Sequence, residues 1–356
     1  MRGMELVDFG RPLEPFERAT PTPAGAEVLL EVCAAGVCHS DLHLSDGYYE
    51  LGCGDRLLLG ERGVRPPLTL GHEVVGRVVA VGGDANPDLI GRSFLVYPWI
   101  GCQACATCLG GDYNACAKPQ YIGIHRPGGY GDHVIAPHER FLIDIGGLEP
   151  AAAAPYACSG LTAFRALKRI GFERLRSRPV VLIGAGGLGL MALTLLSALE
   201  AHGAVVVELD ADKRRAALDH GALAAIDAGA GDVARQIEAA CGGAPLAVVD
   251  FVGSTETACL AIGVLGRGGQ YVVVGLFGGS VTLPLPLVAI RAISIEGTNV
   301  GSLGDLNALM QLVRAGCVPP MSVQTYAAAD ANLALDALRE RKVVGRAILQ
   351  REGATA

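Results

Sequence analysis

The stretch "VVLIGAGGLGLMAL", residues 180–193, decides the fold. An apolar run of strand length leads into Gly184, Gly186 and Gly189 in G-x-G-x-x-G spacing, with Gly187 and Leu188 between them, and an apolar helical pattern follows. Glycine serves such a turn in three ways: it permits the bend, it lets a pyrophosphate approach the backbone, and it lets helix pack on strand. The helix amino terminus then faces the phosphates. Glu208 closes the next strand-like run, "AVVVE", nineteen positions beyond Gly189, where a carboxylate can accept hydrogen bonds from an adenosine ribose. The same carboxylate repels the extra phosphate of NADP, so NAD is the expected cofactor. Asp210 is a rival for the ribose role, and Arg214 or Arg215 in "DKRR" could meet a 2′-phosphate, against the plainer reading of a solvated helix start. Lys213 and Val274 complete the expected cofactor set on this side of the chain.

Outward from this turn, strand and helix patterns alternate: "AVVVEL", "DKRRAALDH", "LAVVDF" and "GQYVVVG". Such alternation indicates a doubly wound parallel sheet, here expected over residues 155–299. Residues 1–154 read differently, as short alternating strands punctuated by glycine ("EVLLEVCAAGV", "EVVGRVVAVGGD"), the mark of a mainly β domain. The boundary falls at "AAAAP", residues 151–155. A last helix and strand, within 300–356, are too little for a third domain and are expected to complete the first.

Composition narrows the function. The chain has 356 residues, 51% of them hydrophobic, and a formal net charge of -7. With no basic cluster beyond "DKRR" and "RERK", it has no electrostatic footprint for nucleic acid or an anionic membrane. Its apolar runs are too short to span a bilayer, and "MRGMELVDFGRP" lacks an apolar core of secretory length. A cytoplasmic location is expected. In a reducing compartment, eleven cysteines imply metal binding wherever they cluster.

They cluster in "GCQACATCLGGDYNAC", residues 101–116. Cys102, Cys105, Cys108 and Cys116 form C-x2-C-x2-C-x7-C, and four thiolates satisfy tetrahedral zinc with no position left open. The site should be structural; thiol redox chemistry, which needs only one C-x-x-C, and a nucleic-acid-binding zinc ribbon are the rival readings. A second, dispersed set comprises Cys38, His39, Ser40, Asp41 and His43 in "GVCHSDLH", His72 and Glu73 in "TLGHE", and Cys158 in "YACSGLTAF". Together they fit a Cys2His zinc site with an open fourth position, although spacing alone cannot bring Cys38, His72 and Cys158 together.

At these residues the sequence resembles the zinc-dependent alcohol dehydrogenases of the medium-chain dehydrogenase/reductase family. "GVCHSD", "LTLGHE", the four-cysteine loop, "CSGLTAF", "GAGGLG" and "VVGRAIL" occur in the family's order. The resemblance implies a GroES-like catalytic domain plus a Rossmann domain, and two zinc ions per subunit. It implies a catalytic zinc held by Cys38, His72 and Cys158, with Glu73 as an occasional ligand and Asp41 orienting the histidine. It implies hydride transfer between an alcohol, as a zinc-bound alkoxide, and NAD, giving an aldehyde or ketone, with Ser40 and His43 relaying the proton. His39 and Arg346 match positions that contact the pyrophosphate. Trp99 in "YPWIGC" is expected to line the substrate pocket, and Tyr48, Tyr49 and the longer segment 49–66 to wall it in favour of alcohols bulkier than ethanol. The alternatives are a polyol or other specialised dehydrogenase of the family, or a member that binds NAD and zinc without catalysis. A homo-oligomer, dimer or tetramer, is the family habit.

Overall fold

The apolar runs that follow the glycine turn are covered on both faces, the condition that a parallel sheet requires. In the computed structural model, which describes residues 1–351, six parallel strands lie in the order Ala224–Asp227, Ala204–Glu208, Val180–Ile183, Ala247–Asp250, Gln270–Val273 and Ser294–Gly297. The order reverses between Val180–Ile183 and Ala247–Asp250, and ligands of doubly wound sheets bind outside the strand ends at such a switch. There the chain turns through Gly184, at φ 94°, into helix Gly187–Ala198. A Cβ on Gly189 would stand 2.0 Å from the Gly184 carbonyl oxygen, so only glycine allows helix and strand this close.

The amino-terminal part builds a second, mostly antiparallel sheet. Its order is Val323–Ala327, Arg346–Gln350, Val28–Val37, Glu73–Val81, Ser93–Val96 and Leu142–Asp144, with His133–Ala136 also pairing with Val28–Val37. Strands Val323–Ala327 and Arg346–Gln350 thus return late in the chain to this antiparallel sheet, and Ala347 pairs with Val37, which sets Arg346 beside Cys38. Helix Ser159–Ile170 joins the halves by packing on Gly187–Ala198 and Leu303–Arg314. One hydrophobic core runs continuously through the antiparallel sheet and onto one face of the parallel sheet; a second fills the other face. The inserted segment forms an antiparallel hairpin, Tyr48–Gly52 with Asp55–Leu58.

Candidate active site and metal centres

Strand Val28–Val37 ends at Cys38, the amino-terminal cap of helix His39–Asp46. Asp41, in the first turn, accepts from the Cys38 backbone N–H at 2.8 Å and from the Tyr130 hydroxyl at 3.1 Å through one oxygen. Its other oxygen stands 3.4 Å from His72 Nδ1. His72 immediately precedes strand Glu73–Val81, and Cys158 immediately precedes helix Ser159–Ile170. Strand pairing and helix packing bring the three segments together. Cys38, His72, Glu73 and Cys158, all buried, offer ligand atoms within 4.8 Å of one another, with the two sulfurs 3.9 Å apart.

This donor set fits zinc on two observations. His72 Nε2 is buried without a hydrogen-bond partner, an expensive state for a ring nitrogen unless a metal takes its lone pair. The sulfurs, meanwhile, cannot both be ionised in a dry site: donation from Cys158 holds the Cys38 thiol well below its ordinary range, and the same contact pushes Cys158 well above it. A divalent cation resolves that conflict. Glu73 borders the same cluster but is already engaged. Its carboxylate is gripped by the buried Arg346 fork, Nε donating to Oε2 at 2.9 Å and Nη2 to Oε1. Gly36 makes room for it, because a Cβ there would fall 1.9 Å from Glu73 Oε2.

Ser40 Oγ lies 3.7 Å from Cys38 Sγ, and His43 follows one turn later with its ring 4.8 Å from that of Tyr49. Burial keeps the His43 imidazole below its ordinary pKa. Burial, helped by Cys38, Asp41 and Cys158, pushes the Tyr49 hydroxyl up to about 12, so it stays neutral. Tyr49 is therefore the hairpin residue that reaches the site. Tyr48, on the opposite face of the same strand, lies under the Arg56 guanidinium, 3.8 Å from its ring centre. Trp99 packs 5.2 Å from the His72 ring and donates its indole N–H to the Ala157 carbonyl at 2.9 Å, backing two of the ligand segments.

Cys102, Cys105, Cys108 and Cys116 also converge within 4.8 Å. Backbone N–H groups point at the sulfurs: those of Cys102 and Lys118 each lie 3.3 Å from Cys116 Sγ, and those of Ala104 and Cys105 pull the Cys102 thiol down to about 6. Such donors favour a thiolate at Cys102, while burial pushes the Cys108 thiol up to about 12.

The third site lies at the amino end of helix Gly187–Ala198. His39, Gly186, Gly187, Lys213 and Arg346 line one crevice there, together with Arg341. Arg341 belongs to the "RERK" cluster but drew no notice in the sequence, because only the returning strand carries it to the glycine turn. Glu208 hangs over that turn, accepting from the Ala185 N–H at 2.8 Å and from the Asp210 N–H at 3.1 Å. Its rivals are engaged as well: Asp210 caps helix Ala211–Asp219 through the N–H groups of Asp212 and Lys213, and Arg214 bonds the Glu208 and Leu209 carbonyls and pairs with Asp227. Val274 lies apart from this crevice, in a cavity with Arg165, Arg169, Gly275, Thr298 and Asn299.

Family models match both halves: an alcohol dehydrogenase GroES-like domain over residues 24–146, and a zinc-binding dehydrogenase domain over 187–315. The chain belongs to the medium-chain, zinc-binding dehydrogenases. An NAD-dependent alcohol dehydrogenase of Sulfurisphaera tokodaii is 36% identical to this dehydrogenase, over 98% of this chain and 99% of its own. The crystal structure of the Aeropyrum pernix alcohol dehydrogenase superposes with a TM-score of 0.87 at 28% identity, covering 98% of this chain and 100% of that one. A D-arabinose dehydrogenase from Sulfolobus solfataricus superposes with a TM-score of 0.82 at 27% identity, over 98% and 99%. Among the described residues of this dehydrogenase, no helix is long and apolar enough to cross a membrane.

Proposed function

We propose that this dehydrogenase oxidises a primary or secondary alcohol to an aldehyde or ketone with NAD, reversibly, in the cleft beside Cys38, His72 and Cys158. The orphaned, buried His72 Nε2, in one cluster with two cysteine sulfurs, carries this reading. Zinc held by these three residues would act as a Lewis acid, bringing the pKa of an alcohol hydroxyl toward about 7, and NAD would accept the hydride. The chain's own residues supply the rest. Asp41 holds His72 in one orientation, as outer-shell carboxylates do. Ser40 accepts the alcohol proton, and His43, uncharged at neutral pH because burial lowers its pKa, passes it toward solvent. The N–H groups at Gly186, Gly187 and Leu188, with His39 and Lys213, would hold the pyrophosphate of NAD, and Glu208 would accept from its adenosine ribose. Arg346 serves this crevice from its pairing with Glu73. Trp99 and Tyr49 wall the alcohol side and favour bulky substrates over ethanol.

A second zinc in the four-cysteine lobe would be structural. A reducing, cytoplasmic setting belongs to the same reading, since clustered cysteines serve as metal ligands where thiols stay reduced. Strand Ser294–Gly297 pairs with Gln270–Val273 and leaves its outer edge without a partner among the described residues, and Leu276, Phe277, Leu285, Leu287 and Ile290 are exposed in the segment leading to it, which supports a homo-oligomer. Reduction of NAD, with NADP in parallel, across primary, secondary, aromatic and polyhydroxy alcohols tests the reading. Turnover peaking on bulky monoalcohols with NAD upholds it, a peak on sugars or polyols favours the specialised-dehydrogenase alternative, and no turnover by zinc-loaded protein contradicts it.

A further inference from the structure

The inserted hairpin does more than wall the alcohol side. It leaves helix His39–Asp46 and crosses to the parallel-sheet half, where Cys53 Sγ at its tip lies 3.5 Å from Ser280 Oγ. The backbones touch as well. A Cβ on Gly278 would stand 2.4 Å from the Glu50 carbonyl oxygen, and one on Gly52 would stand 2.8 Å from the Gly279 carbonyl carbon, so glycine on both sides permits the contact. The turn that receives the tip is anchored from behind: the Ser280 N–H donates to Thr255 Oγ1 and the Thr255 hydroxyl donates to the Ser280 carbonyl, each at 3.1 Å, while Gly278 bridges Ser254. Thr255 opens helix Thr255–Val264, which follows strand Ala247–Asp250 at the switch point. At the other end of the hairpin, Tyr49 packs on His43. A two-stranded ribbon thus ties the helix of the proton path to the dinucleotide half.

We propose that the Gly278–Ser280 turn is a docking platform for the Gly52–Cys53 tip, and that this clasp must release before the nicotinamide cofactor can exchange. A lone hairpin is marginally stable, and the tip contact is small and exposed, so it can open in every turnover. Lid opening of this kind governs turnover in many enzymes. The proposal rests on the reading that hydride transfer takes place in the cleft between the two halves.

Ser280→Cys places a thiol opposite Cys53, and neither residue belongs to the reaction machinery. The holoenzyme is oxidised with diamide, the crosslink between Cys53 and the introduced thiol is scored by peptide mass spectrometry, and zinc content, turnover and NADH release by fluorescence are measured. The crosslinked enzyme should keep its zinc, lose at least about tenfold in kcat, retain NADH through gel filtration, and recover on reduction with dithiothreitol. The Cys53→Ser, Ser280→Cys double variant under the same oxidant accounts for the other thiols, and turnover of alcohols by the reduced enzyme secures the functional reading independently. A complete crosslink with unchanged kcat and NADH release overturns the proposal, as does failure of the two thiols to crosslink. Gly278→Ala, which pushes the tip off without sulfur chemistry, should speed NADH release and raise the KM for alcohol with zinc content unchanged; an unchanged release rate overturns the proposal as well.

Discussion

Cys102, Cys105, Cys108 and Cys116 come from one short loop, two of them half-buried, whereas Cys38, His72 and Cys158 come from three distant segments and are all buried. The loop can gather its four sulfurs with few contacts from the rest of the molecule. The dispersed trio exists only when the antiparallel sheet, the returning strand and helix Ser159–Ile170 are all in place. Ligand count differs in the same direction. Four thiolates close a zinc shell, while two thiolates and an imidazole leave one position for a substrate oxygen. The local cluster should therefore govern stability and the assembled one chemistry.

Variants can break or sharpen that contrast. Cys158→Ser should lower alcohol turnover by more than about a hundredfold, beyond the usual effect of an outer-shell partner, with melting temperature nearly unchanged. Cys105→Ser should do the reverse, lowering the melting temperature while the folded fraction still turns over; calorimetry beside steady-state kinetics checks both. Asp41→Asn should weaken zinc at the assembled site by about 10–100-fold, read in a competitive chelator titration, and leave the four-cysteine site untouched. His43→Ala should slow turnover by about tenfold at neutral pH. Because burial lowers the His43 pKa, the imidazole stays a proton acceptor until the pH falls below the ordinary histidine range, so the wild-type rate should hold to that point and the variant should lack the descending limb.

The smallest effect concerns the join between the halves. Asp305 is buried, accepts from Arg165 at 2.9 Å and Lys168 at 2.7 Å, and completes the capping box of helix Leu303–Arg314 by accepting from the N–H of its cap, Ser302. Burial alone would raise its pKa, but the Lys168 ammonium, the Ser302 N–H and hydroxyl, and Arg165 together hold it below its ordinary value. A depressed carboxyl stabilises the fold above its unfolded pKa, near 4, and loses that contribution as pH falls through the lower folded value. Asp305→Asn should thus cost about 1–2 kcal/mol at pH 7, and denaturant titrations should show the gap closing below about pH 4.

The glycine turn and the four-cysteine loop were legible in the sequence because each is local: spacing alone fixes what Gly184, Gly186 and Gly189, or the four thiols, can do. The assembled site was legible only through resemblance, since no spacing relates residue 38 to residue 158. Tyr130, whose hydroxyl holds Asp41, carried no signal at all, because its role depends on a hydrogen bond between segments that meet only in the fold. Arg346 was expected at the pyrophosphate; its buried fork on Glu73 follows from the register of the closing strand against Val28–Val37, which pattern reading does not supply. Tyr48 and Tyr49 show the limit at its finest. Adjacent strand residues face opposite ways, and the phase of the hairpin decided that Tyr49 meets His43.

The contrast between the two clusters is tested most directly by counting zinc per chain in the wild type, Cys158→Ser and Cys105→Ser while assaying alcohol oxidation on the same samples. The account predicts two ions in the wild type, one in each variant, and loss of turnover in Cys158→Ser alone. Full zinc occupancy or wild-type turnover in Cys158→Ser would contradict it.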